Sequence, residues 1–409
     1  MHHETELIST IAVGLAFAFA GGLAAFRLGL PPLVGYLLAG VAVGPFTPGY
    51  VADQKLAPQL AEIGVILLMF GVGMHFSIAD LWEARRIAVP GALAQIVVAT
   101  ALGTGAASWW GWPLGAGLVF GLALSVASTV VLLRALEARG LLESEDGRIA
   151  IGWLIVEDLV TVLALVLLPA LAGPLGAPGV GGAAAGEIWA AIGLTLGKVG
   201  VFVALMLVVG ARVFPRLLKL VEGTRSRELF TLAVIALSLG VGFVSAEIFG
   251  VSFALGAFFA GIVVHESDLS HRAADELRPL QDAFAALFFV SVGMLFDPAV
   301  LVRQPLQVLA VVGIIVVGKS AAATGIVLAL RRPLRTALTV SAGLAQIGEF
   351  SFILGALGIS MGLLPAEAQS LIVAGALLSI SLNPLVFYAA GRWLPAAKSS
   401  PGLPRTEPA

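Results

Sequence analysis

Long apolar stretches recur along almost the whole chain and set the strongest limit on its fold. A helix needs about 20 mostly apolar residues to cross the hydrocarbon core of a bilayer. Thirteen such stretches can be marked between polar or Gly/Pro breaks: 7–26, 31–45, 59–78, 87–108, 113–136, 149–170, 187–213, 229–246, 251–264, 279–296, 306–330, 334–358 and 368–391. We therefore predict an all-α polytopic membrane protein with thirteen transmembrane helices.

The composition excludes several other classes of protein. Charged residues make up only 12% of the chain, against roughly 25% in ordinary globular domains. A net charge of -2 provides no basic footprint for nucleic acid. The absence of cysteine and the presence of only five histidines disfavour thiol and zinc sites. We expect no cofactor and no enzyme active site.

The basic residues predict the orientation of the helices. Loops on one side of the predicted topology carry 19 of the 23 Lys and Arg residues, whereas loops on the other side carry only Lys55 and Arg303. Lys198 and Lys319 fall within helices. Because cytoplasmic loops are enriched in Lys and Arg, the N-terminus is predicted to lie outside and the C-terminus in the cytoplasm.

Thirteen helices divide naturally into six, one and six. We predict one membrane domain over 1–395, followed by a cytoplasmic tail at 396–409. The domain would contain a first repeat (7–170), a linker helix (187–213) and a second repeat (229–391). Two six-helix sets joined by one span must have opposite orientations in the membrane, which is the inverted-repeat arrangement of many secondary transporters.

The fifth helix of each predicted repeat contains a polar or glycine-containing interruption. The interruptions read LSVAST (124–129) and SAGLAQIGEFS (341–351). Matched interruptions in equivalent helices favour a pair of discontinuous helices that form a substrate site. Such residues also serve helix packing in membranes, which is the alternative for either helix taken alone.

Two adjacent acids lie in the apolar stretch WLIVEDLVTVLALVLLPAL (153–171). A charged group at mid-membrane costs about 2.5–3.5 kcal/mol on insertion scales, so Glu157 and Asp158 must face protein or water. A carboxyl group there can hold a proton or, when deprotonated, a cation. Adjacent helical residues point about 100° apart, so we predict Asp158 as the ion-binding residue and Glu157 as a modulator or second carrier. A structural ion pair is the alternative.

Other polar residues in the membrane complete the predicted site. Lys319, in VVVGKSAAATG, needs a counter-charge, for which Asp158 or Glu157 is the candidate. Such a pair could couple cation binding to proton release or be permanently structural. Glu349 could line the ion path or hold unwound backbone N–H groups. Ser128 and Thr129 offer hydroxyl oxygens suited to a hard cation.

Seven stretches, in order, resemble the Kef-type branch of the monovalent cation:proton antiporters. They are LGLPPLVGYLLAGVAVGP (28–45), LAEIGVILLMFGVGM (60–74), VASTVVLL (126–133), VEDLVTVLAL (156–165), SFALGAFFAGIVVHES (252–267), LFFVSVGM (287–294) and AQIGEFSFIL (345–354). The resemblance implies a homodimer in the bacterial inner membrane, with two crossing discontinuous helices in each core domain. It places the essential acid at Asp158 and the membrane-centre lysine at Lys319.

The resemblance implies antiport of a monovalent cation for protons by alternating access, with K⁺ favoured and Na⁺ the other candidate. A ligand-gated K⁺ efflux pathway with channel-like behaviour is the alternative, although no carbonyl-ring filter motif is present. An intramembrane aspartyl hydrolase using Asp158 and Glu349 is disfavoured because no peptide groove is evident in the sequence.

The chain departs from the Kef pattern at two points. Many Kef proteins have Gln where this chain has Glu157, which resembles the YbaL-like branch and leaves the stoichiometry open. Kef proteins usually continue into a cytoplasmic nucleotide-binding regulatory domain, and we expect none within these 409 residues, which contain no glycine fingerprint after a strand. The mixed-charge loop HESDLSHRAADELRP (265–279) matches the regulatory loop in position, so Glu266 and Asp268 are candidate contacts for that domain; a solvated connector is the simpler interpretation.

Overall fold

A computed structural model gives the fold, and it describes residues 6–53, 55–75, 78–142, 144–178, 185–250 and 252–392. Every regular element in these residues is helical. The α-helices are α1 Glu6–Arg27, α2 Pro32–Ala42, α3 Leu56–His75, α4 Ile78–Trp109, α5 Leu114–Ser125, α6 Thr129–Glu137, α7 Glu145–Leu171, α8 Ala185–Leu205, α9 Ala211–Gly223, α10 Arg227–Phe249, α11 Phe253–His265, α12 Ser270–Met294, α13 Val300–Arg303, α14 Pro305–Val312, α15 Lys319–Ala329, α16 Leu334–Leu344, α17 Glu349–Ser360 and α18 Glu367–Arg392. Short π-helical turns, Met206–Gly210 and Gly313–Gly318, join α8 to α9 and α14 to α15. The predicted tail at 396–409 lies outside the described residues.

The all-helical membrane architecture is confirmed, but the count of thirteen spans is not. Nine helical spans in the described ranges are long and apolar enough to cross a bilayer, and the bent pair α16–α17 makes a tenth. All thirteen predicted stretches coincide with helix. However, α2 and α11 have only 11 and 13 residues, against the roughly 20 that a perpendicular span needs. The first turns of α12 are charged.

Helix starts follow the local sequence. Ser144, Ser226 and Ser252 each precede a helix and accept a hydrogen bond from the backbone N–H three residues later, which satisfies one of the free donors at a helix N-terminus. Pro113 and Pro333 precede α5 and α16, the first halves of the two interrupted helices. Proline has no N–H to leave unpaired at such a start.

The helices pack into two groups. In one, α1–α3 pack against α10–α12; in the other, α4–α7 pack against α14–α18. Helix α8 contacts both α7 and α10 and so bridges the groups. Glycine permits the closest approach in the first group, since a Cβ on Gly40 of α2 would collide with the carbonyl of Val290 in α12.

The predicted interruptions are confirmed as two broken helices that cross. Helix α5 ends at Ser125 and α6 begins at Thr129, while α16 and α17 are bent by 47° across 345–348. Helix α5 packs on α17, and α6 packs on α16. The two breaks meet where Gly348 contacts Ser128, because a Cβ at Gly348 would lie 2.5 Å from the Ser128 Cα. This crossing lies inside the second helix group.

Candidate ion-binding site

The side chain of Gln346 joins the two breaks. Its Oε1 accepts a hydrogen bond from the Ser128 N–H at 2.8 Å, and its Nε2 donates to the Ser128 carbonyl at 3.0 Å. The same Nε2 also lies 3.2 Å from the carbonyl of Gly343. Gln346 is fully buried. Its amide therefore replaces the backbone partners that the interrupted helices lack, and it fixes one break against the other.

Two further amides donate hydrogen bonds to carbonyl groups near the ends of the first half-helices. Gln95 of α4 donates to the Ser125 carbonyl of α5 at 3.1 Å. Asn383 of α18 donates to the Ala342 carbonyl of α16 at 2.8 Å. Each amide lies alone in an apolar stretch, and buried backbone acceptors in lipid-covered protein need such partners. Side chains of the neighbouring helices α4 and α18 thus help to stabilise the two breaks.

Glu157 and Asp158 of α7 both reach the first break. Glu157 Oε2 accepts a hydrogen bond from the Ala127 N–H at 2.9 Å, and Asp158 Oδ2 accepts one from the Thr129 hydroxyl at 3.0 Å. Asp158 is 4% exposed and Glu157 is fully buried. Within the described chain, Glu157 Oε1 and Asp158 Oδ1 have no hydrogen-bond partner. Each acid therefore keeps one oxygen for a proton or a cation.

Glu349 is the first residue of α17 and is 1% exposed. A negative charge there is favoured by the N-terminal end of the helix dipole. No donor in the described residues makes a well-formed hydrogen bond to either of its carboxylate oxygens, although the Ser128 side chain lies beside it. Glu349 is close enough to Asp158 for their negative charges to repel each other. Three carboxyl groups thus surround the crossing.

Lys319 follows the π-helical turn Gly313–Gly318 and is fully buried. Its Nζ donates a hydrogen bond to the Gln346 carbonyl at 3.0 Å. Glu157 lies within electrostatic range, but the two charged groups make no direct ion pair. Of the two counter-charges considered from the sequence, Glu157 is therefore the one that acts on Lys319 in this conformation. The ammonium also binds backbone at the second break.

The two predicted hydroxyl ligands, Ser128 and Thr129, have different hydrogen-bond partners in the structure. Thr129 directs its hydroxyl to Asp158, whereas Ser128 caps α6 and accepts from the Val131 N–H at 3.4 Å. No group of three or more His, Cys, Asp or Glu side chains in the described ranges is arranged to hold a metal ion. The three acids therefore surround the crossing without sharing one coordination sphere.

The N-terminus of α7 is attached to α16, which fixes the helix that carries both acids. Thr336 donates a hydrogen bond to Asp146 Oδ1 at 2.6 Å, and Arg335 lies 3.5 Å from Asp146 Oδ2. Arg332 pairs with Glu145 at 2.8 Å nearby. These contacts connect α7 to the α16 side of the second break.

Glu266 and Asp268 lie away from the crossing, just after α11. Asp268 pairs with Lys219 of α9 at 2.7 Å, and this ammonium holds the pKa of the Asp268 carboxyl below its usual value. Both partners are largely exposed, so the pair contributes little to stability. Asp268 thus has an intramolecular partner in this conformation, and its predicted contact with a regulatory domain stays a prediction.

Sequence reasoning identified the acids, Lys319 and the two hydroxyl residues, but it missed the amides. Gln346 lay inside the interruption SAGLAQIGEFS without an assigned role, and Gln95 and Asn383 were not considered. The available signal was an isolated amide in an apolar helix, because a polar group in a membrane span needs a partner.

Crossed broken helices with buried acids and a buried lysine at their contact define an ion-translocating secondary transporter. The chain belongs to the family described as sodium/hydrogen exchanger, transmembrane, whose model matches residues 14–390. It is a membrane protein of a family of antiporters, not of enzymes.

Two related proteins indicate which antiporters within this family the chain is similar to. The chain is 60% identical over 387 residues to the candidate cation/proton antiporter YbaL of Escherichia coli (strain K12), covering 95% of this chain and 69% of that protein. It is 33% identical over 386 residues to K(+) efflux antiporter 4 of Arabidopsis thaliana, covering 94% of this chain and 64% of that protein. These matches agree with the cation:proton antiporter family and the YbaL-like branch that the motifs indicated.

A solved structure supports the fold. The sodium proton antiporter MjNhaP1 from Methanocaldococcus jannaschii aligns with a TM-score of 0.71, over 94% of this chain and 98% of that one. At 17% sequence identity, the similarity establishes the architecture only.

Proposed function

We propose that the protein exchanges a monovalent cation for protons by alternating access, with K⁺ favoured over Na⁺. The observation that carries the proposal is the free oxygen of Asp158 beside the crossing of two broken helices. One buried carboxylate can bind either a proton or a cation, so each state excludes the other. That exclusion is the minimum requirement for exchange.

The exchange step has a simple charge balance. A deprotonated Asp158 binds the cation through Oδ1, with the Thr129 hydroxyl adjacent, and a proton later replaces the cation at the same carboxylate. Moving an uncompensated charge through a low-dielectric environment is unfavourable. The helix group that contains the site therefore moves more easily when Asp158 binds a cation or a proton than when its carboxylate binds neither. This dependence couples the two fluxes without a second carrier.

Glu157 and Lys319 adjust this balance. Glu157 binds the Ala127 N–H and acts electrostatically on Lys319, while Lys319 binds the Gln346 carbonyl. Thus the ammonium partly offsets the negative charge of the three acids. We propose that Glu157 is either a modulator of Asp158 or a second proton carrier, two roles that the voltage dependence of exchange distinguishes.

The proposed movement follows the two helix groups. The group α4–α7 with α14–α18 contains every residue of the site, whereas α1–α3 with α10–α12 contains none of them. We propose that the second helix group, α4–α7 with α14–α18, moves relative to the first and carries the site across the membrane. A homodimer and a cell-membrane location, with the N-terminus outside, remain parts of this proposal and come from the sequence.

The preference for K⁺ draws on the K⁺ efflux relatives at 33% identity. The structural neighbour is a sodium proton antiporter, so Na⁺ stays the competing ion. A channel-like K⁺ path would differ from an antiporter by carrying K⁺ in the absence of any proton gradient or counter-flux.

Proteoliposomes with a pH gradient and an internal pH dye test the function. Addition of K⁺ should dissipate the gradient, and Asp158→Asn should abolish the response. Glu62→Gln is the matched control, because Glu62 is an exposed acid in α3, away from the crossing. K⁺ flux in wild type without proton movement would support the channel alternative; unchanged antiport in Asp158→Asn would remove the site assignment.

A further inference from the structure

A cavity of about 700 Å³ lies at the end of the molecule where α3, α13 and α18 begin. Both helix groups line it, with Met294 of α12 on one side and Ile359 of α17 on the other. The basic-residue distribution predicts that this end faces the outside. The cavity therefore lies between the two groups that the proposed transport cycle moves.

The polar residues of the cavity form an exposed rim and a buried floor. The rim carries charge from Arg303 and Glu367, both exposed, and from the half-buried Asp297, whose carboxylate lies 3.7 Å from Arg303. The floor carries the uncharged side chains of Ser291, Gln369 and Ser370, each less than a tenth exposed. A charged entrance above a neutral polar floor can attract an ion without binding it permanently.

The burial of the Gln369 amide is not explained by any hydrogen bond. It is 4% exposed, and neither its Nε2 nor its Oε1 has a hydrogen-bond partner among the residues described. Its neighbour Ser370 is already engaged, since the Ser370 hydroxyl accepts from the Asp297 N–H at 3.2 Å. A buried amide without partners is unfavourable, so its presence at a cavity floor calls for a ligand.

The depth of Gln369 places it on the way to the acids. Its Oε1 packs against Gly355 of α17, where a Cβ would come within 2.6 Å of that oxygen. Gly355 follows Glu349 by six residues, which is about 9 Å along a helix axis. Gln369 therefore lies between the exposed rim and the level of Glu349.

An aromatic cluster separates Gln369 from the crossing. Phe352 of α17 lies one turn after Glu349, and its ring centroid is 6.4 Å from those of Phe288 and Phe289 in α12. The cluster joins the two helix groups at a depth between Gly355 and Glu349. A cation held by Gln369 would thus wait above this contact until the groups move.

We propose that Gln369 is the centre of a second, transient site for a monovalent cation, at which its amide turns away from Gly355 so that Oε1, with the Ser291 hydroxyl, replaces part of the hydration shell. The proposal rests on the antiport function proposed above. A neutral amide oxygen suits this task, because an entry site must bind an ion weakly enough to release it. Asp158 remains the exchange site.

Single cysteines can test the location, because the chain contains no cysteine of its own. A membrane-impermeant cationic methanethiosulfonate is added to either face of sealed vesicles. Gln369→Cys should react from the same face as Ser360→Cys on the exposed rim, and Ala376→Cys, fully buried in α18, should not react. If Ser360→Cys reacts and Gln369→Cys does not, the proposed site is refuted.

Protection tests the ligand. Saturating K⁺ or Na⁺ should slow labelling of Ala356→Cys, a cavity-lining position next to Gly355 that leaves Gln369 intact, by about threefold or more while leaving Ser360→Cys unchanged, because an occupied site excludes the reagent. Equal protection at both positions would mean that charge screening at the rim explains the effect, and no protection would also reject the site.

Transport kinetics test the role in a variant that keeps side-chain length. Gln369→Met should raise the apparent KM for the cation on the rim face about fivefold, because it removes one acceptor oxygen. Ser360→Ala should leave this KM unchanged. An unchanged KM in a stable, active Gln369→Met protein would overturn the proposal. If wild type shows no exchange at all, the proposed function fails, and protection from labelling alone decides whether the cavity binds cations.

Discussion

The side chain of Gln346 and the backbone of Ser128 exchange two hydrogen bonds although 218 positions separate them in the chain. Ser128 is the cap of α6, and Gln346 lies in the break before α17. One amide therefore sets the distance between the two half-helix N-termini that face the acids. The backbone carbonyl of Gln346 also accepts a hydrogen bond from Lys319 Nζ. Gln346 therefore contributes both to the geometry of the crossing and to the position of its positive charge.

Replacing the Gln346 side chain should remove the bridge to Ser128 while keeping the backbone carbonyl that Lys319 binds. Gln346→Leu leaves the Ser128 N–H buried without a partner, which costs about 1–3 kcal/mol, and removes one of two hydrogen bonds at the Ser128 carbonyl, which still accepts from the Leu132 N–H. We expect a clear fall in thermal stability in detergent and loss of most exchange. Asn383→Leu is a matched control, since it removes a single amide hydrogen bond from the same broken helix. Equal stability of Gln346→Leu and wild type would show that the bridge is not needed.

Lys319→Gln should shift the pH dependence of exchange. The amide can still donate to the Gln346 carbonyl, but the positive charge that favours ionised carboxylates nearby is lost. Deprotonation of the acids then becomes less favourable, so half-maximal exchange should move to higher pH. Lys319→Arg keeps the charge and serves as the control. Dye-monitored exchange across a pH series measures the shift, and identical profiles for wild type and Lys319→Gln would exclude an electrostatic role for Lys319.

Asp146→Asn should loosen α7 at its attachment to α16. The variant weakens the 2.6 Å hydrogen bond from Thr336 and the 3.5 Å ion pair with Arg335, both of which involve the buried Asp146 carboxylate. We expect a loss of up to about 1.5–3 kcal/mol, which is the contribution of hydrogen bonds to charged groups. Glu145→Gln removes the adjacent, more exposed pair and should cost less than about 1 kcal/mol. Unfolding midpoints of the two variants compare these costs; an equal shift would place Asp146 among ordinary surface charges.

The sequence identified the charged groups more readily than the groups that position them. Asp158 and Lys319 are conspicuous because a charge in an apolar span is costly, and matched interruptions located both breaks. The partner of Gln346 could not be found in this way, since its hydrogen bonds depend on how the two broken helices cross. For the same reason Lys319 was predicted to pair with an acid, whereas its direct partner is a carbonyl exposed by the break.

The number of membrane spans was predicted less well from the sequence than the positions of the apolar stretches. Hydropathy located each apolar stretch, but length decides whether a stretch can cross the bilayer, and α2 and α11 are short. Their glycines let them pack closely within the first helix group, as at Gly40 against α12. Such packing is tertiary information that a window of hydropathy does not contain.

Glu157→Gln should test whether the second acid carries charge. Glutamine can keep an oxygen for the Ala127 N–H, so the first break should retain its shape while the carboxyl group is lost. If Glu157 is a second proton carrier, exchange in wild type moves more than one proton for each cation and responds to membrane voltage. Glu157→Gln should then exchange one for one and ignore voltage. Proteoliposomes clamped with an ionophore for an ion that the protein does not transport measure both cases. Exchange that ignores voltage in wild type as well as in the variant would restrict Glu157 to modulating Asp158.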